Sequence, residues 1–129
     1  PGDTAYIRVA IRAKSGTTTA VPMKVAAGLI SGSSTGLTYS VKRATTATCD
    51  SSTVTDLDIV SPAMVFPSAT STYTDGTPGT FTLAAGTSST AGAITNLCIK
   101  VFADTTVAGS TAPVLAWKFV TNWPATPTS

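Results

Sequence analysis

The stretch Thr4-Ala5-Tyr6-Ile7-Arg8-Val9-Ala10-Ile11-Arg12-Ala13 decides the fold class. Ala5, Ile7, Val9, Ile11 and Ala13 share one side of a two-residue repeat, and Tyr6, Arg8, Ala10 and Arg12 share the other. Successive side chains of a β-strand point to opposite faces, so this pattern describes a strand with one face on a core and one in water. Ser15-Gly16 and the run Thr17-Thr18-Thr19 then supply a turn.

The same period recurs down the chain. Val21, Met23, Val25, Ala27 and Leu29 alternate; Pro22 inside that run predicts a strand that starts late or lies at a sheet edge, where a missing N–H does no harm. Leu37, Tyr39 and Val41 predict a third strand. The segment from Val54 to Val60 reads either as a short strand or as a loop with one helical turn, and Ala63 to Phe66, bracketed by Pro62 and Pro67, reads as a short strand at best. Ser68 to Gly79, with Asp75-Gly76 and Pro78-Gly79, reads as a mobile loop. Phe81 and Leu83 begin another short strand. In the stretch from Ala93 to Phe102, Leu97, Ile99 and Val101 lie opposite Cys98, Lys100 and Phe102. Leu115, Trp117 and Phe119 line one face of a last strand over Val114 to Val120. Six to eight short strands with no convincing helix predict an all-β fold, an antiparallel β-sandwich of jelly-roll or Ig-like kind, with a closed barrel as competitor. Residues 1–122 would form one domain and 123–129 a Pro/Thr-rich tail.

Composition restricts function. Thr and Ser occupy 40 of the 129 positions, charged residues make up only 11%, and His, Glu and Gln are absent. Without His there can be no Ser-His-Asp or Cys-His arrangement and no His-based zinc site. No S-x-x-K occurs either, so the expectation is a non-enzyme without a cofactor. The net charge of +2 comes from scattered basic residues that form no arm or stripe, which argues against a nucleic-acid partner. No apolar run approaches the length of a transmembrane helix. The chain opens on Pro1-Gly2-Asp3 without initiator Met or signal peptide, which reads as a mature or partial chain.

Cys49 and Cys98 stand far apart with no C-x-x-C, and an even cysteine count beside abundant hydroxyl residues fits an exported protein with one disulfide.

Two features resemble known groups. Pro1-Gly2-Asp3 leading into Thr4-Ala5-Tyr6-Ile7-Arg8-Val9 resembles the strand entry of many Ig-like surface domains. The series Leu83-Ala84-Ala85-Gly86, Leu97-Cys98-Ile99-Lys100-Val101 and Ala116-Trp117-Lys118-Phe119-Val120 resembles the camelysin/TasA-like exported proteins, matured by a SipW-type signal peptidase. Cys49, following Leu37-Thr38-Tyr39-Ser40-Val41, would match their upstream cysteine. The resemblance implies a secreted sandwich that polymerises into extracellular or biofilm-matrix fibres, a segment of one subunit completing the sheet of the next.

Other candidate sites have plain competing readings. Asp56-Leu57-Asp58 with Asp50 could offer oxygens to Ca²⁺ but lacks a glycine and a third carboxylate at metal-loop spacing, so solvated loop acids are expected and no metal. Lysines with Asn96, Asn122 or an Asp could form an isopeptide bond, yet no Glu is present to shuttle protons. Trp117 and Phe119 have strand spacing and read as core; Trp123, beside Pro124, reads as an exposed anchor for a glycan or protein partner. The last strand from Val114 to Val120 carries only Lys118 as edge protection, and so do Phe81 to Leu83 taken with it. The reading that follows is an extracellular or cell-surface structural subunit assembling with copies of itself through strand edges. The alternatives are a monomeric Ig-like adhesin that binds a glycan or cell surface and a virion coat subunit.

Overall fold

A computed structural model of the protein describes residues 2–104, 107 and 112–123. Seven antiparallel strands and no helix are present among these residues: β1 (Thr4–Ile11), β2 (Val21–Ser31), β3 (Leu37–Ala44), β4 (Thr55–Val65), β5 (Thr72–Leu83), β6 (Thr95–Ala103) and β7 (Val114–Thr121). They form one curled sheet in the order β1-β6-β3-β4-β5-β2-β7. The all-β, antiparallel expectation therefore holds. Two ladders make up this sheet, β1-β6-β3-β4 and β5-β2-β7, and a single pairing, Val60 with Pro78, links them.

The period-two faces translate directly into burial. Ile7 pairs with Ile99, and Ile99 with Val41; Val25 pairs with Phe119. Tyr39, Leu29, Ile59, Leu97, Ile99, Val25, Val41 and Val60 are all nearly inaccessible to water. Removing such aliphatic side chains from water contributes about 1.5–3 kcal/mol each before conformational entropy is set against it. The core draws on both ladders. Tyr39 of β3 meets Phe66 at 5.0 Å and Trp117 of β7 at 6.1 Å between ring centroids, and Phe81 of β5 meets Phe119 of β7 at 6.3 Å. The core assignment of Trp117 and Phe119 is thus borne out.

Three proline- or glycine-bearing stretches differ from expectation. The strand carrying Pro22 is internal, between β5 and β7. Pro22 is tolerated because β7 pairing begins only at Met23, opposite Thr121. The Asn122 N–H donates to the Pro22 carbonyl at 2.8 Å, and a strand residue directs its C=O and its N to the same side. The missing N–H therefore falls just past the paired end of the neighbour. The second stretch is one long strand, Thr55–Val65, rather than a short strand or a loop followed by a separate short strand. Val60 sits opposite Val41 but Met64 opposite Tyr39, so β4 carries two extra residues there and Pro62 is lifted off the ladder.

The third is the segment expected to be a loop, Ser68 to Gly79, most of which belongs to β5. Thr80 faces Lys24 and Asp75 faces Ala26, so residues 76–79 bulge opposite Val25 alone. The turn dipeptides are used here to bend a strand. Gly79 has φ +72°, and Gly76 is buried where a Cβ would overlap the Cγ2 of Val60. The bulge brings Pro78 to Val60, which makes it the corner that carries the sheet from one ladder to the other.

Cys49 and Cys98 form a disulfide, with S–S 2.02 Å and Cα–Cα 5.3 Å. Cys98 lies on the outward side of β6, so the bond fastens the loop that follows β3 across the outside of the sheet. Within that loop Asp50 accepts hydrogen bonds from the Ser52 N–H at 2.8 Å and its hydroxyl at 2.6 Å, which lower its carboxyl pKa below the usual value.

Candidate assembly seam and outer-face trench

The strand order ends at β1 on one side and β7 on the other, and each is hydrogen-bonded to one neighbour only. The inward side chains of both ends pack on the same core: Val9 and Ile11 from β1, and Leu115, Trp117 and Phe119 from β7. All five are only half-buried, whereas Val25, Ala27 and Leu29 of β2, Tyr39 and Val41 of β3, and Leu97 and Ile99 of β6 are almost fully buried. Ile7, in the middle of β1, keeps 38% of its surface exposed although its partner Ile99 keeps 1%. β1 and β7 are therefore the two open edges of the curled sheet, its seam. Along it run unpaired backbone N–H and C=O groups, with apolar side chains behind them.

The direction of those groups follows from the ladder. Asn122 donates its N–H toward β2, so alternation turns the N–H of Thr121, Phe119 and Trp117 outward. The charges on the two edge strands do not guard them. Lys118 reaches across the outer face and places its ammonium 4.7 Å from the centre of the Tyr73 ring. That ring in turn lies over Gly28, where a Cβ would come within 2.7 Å of it, so the strand glycine is explained by an aromatic cover. Arg8 donates to the Asn96 side chain of β6 at 3.2 Å.

Of the residues singled out from sequence, Val114 and Val120 lie on the outer face of β7, opposite Ser31 and Lys24, and are 51% and 37% exposed. They flank the edge without pointing into the seam. Trp123 follows the strand and is 56% exposed. The Pro/Thr-rich residues 124–129 lie outside the described residues. Ile7 was missed as a seam residue: alternation places it inward, but nothing in the pattern says that its strand is last in the order. Phe81 and Leu83 are buried and paired with Met23 and Val21.

Of the acids expected in a loop, Asp50 lies in the loop after β3, but Asp56 and Asp58 are on β4. Asp56 accepts from Arg43 Nε at 2.8 Å, and Asp58 lies 3.5 Å from Lys42 Nζ. Asp75 lies 3.3 Å from Lys24 Nζ. All three pairs are partly exposed to solvent, which limits each to about 0–1 kcal/mol.

Two adjoining hollows mark the outer face of the β1-β6-β3-β4 ladder. One, of about 160 Å³, lies under the disulfide-bonded loop and includes Tyr6, Lys42, Asp50 and Thr53. The other, of about 330 Å³, runs past Thr38, Ala63 and Phe102. Ser40 and Lys100 line both, so the two form one trench. Among the described residues no cluster of three or more metal-ligating side chains occurs, and no helix is long and apolar enough to cross a membrane. Comparison with family models, with characterised proteins and with solved structures gave no match.

Proposed function

We propose that this chain is a structural, non-catalytic subunit of an extracellular filament or matrix fibre, in which a strand from one copy enters the seam of the next. The observation that carries the reading is the seam itself. Two edge strands present unpaired backbone groups, and the apolar side chains behind them remain half covered. Strand addition answers both needs at once, because main-chain hydrogen bonds satisfy the edges and alternate side chains fill the apolar gap. The usual guards against such pairing are edge lysines, inward charges and prolines. Along β1 and β7 the two charges, Arg8 and Lys118, are instead drawn onto the sheet's own residues.

The resemblance to camelysin/TasA-like exported proteins supports the same reading, and the Cys49–Cys98 disulfide is compatible with an oxidising, extracellular setting. Electron microscopy of protein isolated from its native source tests it. Filaments with a regular axial repeat are expected. A monodisperse monomer at high concentration would sink the proposal, and closed shells would replace it with a coat protein.

A further inference from the structure

We infer that the outer-face trench is a binding site for an acidic sugar, with the carboxylate of a uronic acid unit held at Lys100. The inference is independent of the seam, which lies at the sheet edges.

Lys100 stands where the two hollows meet and, alone among the lysines of the trench, has no ion pair among the described residues; Lys42 is shared with Asp58. Register sets the arrangement. Tyr6, Lys100 and Ser40 occupy one rung across β1, β6 and β3, and Arg8, Cys98 and Lys42 occupy the next. Three cations therefore sit on two adjacent rungs, and the disulfide draws the loop over them to make a wall.

The rest of the lining suits a sugar. Hydroxyls of Tyr6 and Ser40 can both donate and accept, while that of Thr53 already accepts from the Asp50 N–H and donates to the Thr48 carbonyl and so braces the wall. The Ser52 hydroxyl and N–H both donate to Asp50 Oδ1, which favours the carboxylate, and Oδ2 is left to accept from sugar hydroxyls. Beyond Lys100 the floor becomes apolar, and Phe102, 38% exposed, offers a ring face to the C–H side of a pyranose. The trench thus has a cation for a carboxylate, hydroxyl partners and a stacking surface. Together the hollows fall within the size range of small-ligand sites.

The test is titration of isotope-labelled protein with a galacturonic acid trisaccharide, and separately with a neutral galactose trisaccharide, following backbone amide shifts. Binding of the acidic sugar should perturb Ser40, Lys100 and Phe102 and should weaken as salt is raised. Lys100→Ala should weaken it about fivefold, the upper range for an exposed charge pair. Phe102→Ala should weaken it as well. Both variants change exposed side chains, and an unaltered melting temperature would show that the fold is intact. Absence of shifts in the trench would overturn the inference. So would equal affinity for the neutral sugar, an unchanged affinity in Lys100→Ala, or shifts centred on Trp123.

Discussion

Replacing Tyr39 by Phe should make this protein more stable. Tyr39 is 1% exposed in the middle of β3, and its hydroxyl is buried without a hydrogen-bond partner. Its ring carries the favourable part, against Phe66 and Trp117, and that part survives in Phe. A buried hydroxyl left unpaired costs about 1–3 kcal/mol, so the variant should gain about 1 kcal/mol, or about 4 °C in Tm for a domain of this size. Burial first, and the nearby charge of Asp75 second, hold the Tyr39 phenol above its ordinary pKa. The sign of the alkaline effect follows. Above about pH 10 the unfolded chain releases this proton while the folded chain keeps it, so folding loses stability as pH rises from there. Below that pH the contribution is intact. The Phe variant lacks the group, so its advantage should widen between pH 9 and pH 11. Thermal unfolding of both proteins across that range is the assay. A Tm for Tyr39→Phe that is lower at pH 7 would show that the hydroxyl is bonded in solution and would refute the argument.

Removing the disulfide with Cys49→Ser and Cys98→Ser together should cost about 4 kcal/mol in the chain-entropy account, for a loop closed over a separation of 49 residues. That corresponds to about 15 °C in Tm, and a loss of under about 3 °C would show that the loop after β3 is held by other contacts. Gly76→Ala should destabilise by about 1–3 kcal/mol, because the added methyl must displace Val60 at the corner between the ladders; denaturant titration reads this directly, and a neutral result would mean that the corner is soft. Ile7→Lys and Val120→Lys place charges at the two seam strands and should abolish filaments while each variant still unfolds cooperatively. Persistence of filaments in both, seen by sedimentation and microscopy, would rule out the seam as the assembly surface.

Local pattern was readable where one side chain decides one face. The alternation in β1, β6 and β7 correctly separates Ile99 from Lys100 and Trp117 from Lys118. It failed where punctuating residues sit inside pairing strands. Asp75-Gly76 and Pro78-Gly79 have turn chemistry and do bend the chain, but β2 continues the ladder on both sides of the bend. Pro62 reads as the bracket of a short strand because the extra residues that let β4 pass it are defined only against β3. The trench was invisible for the same reason: Tyr6, Ser40 and Lys100 are far apart in the chain and meet only through register.

By itself, then, the sequence determined that this chain makes β-strands, which side chains face inward, and that it holds two cysteines apt to pair. Side-chain periodicity and composition are local properties, and they are written residue by residue. The tertiary structure alone decided that β1 and β7 end the order, that Pro22 lies inside it, and that Ile7 is left half covered. Sheet order rests on backbone hydrogen bonds, which every residue but proline can make alike, so no side chain announces which strand will be left without a neighbour.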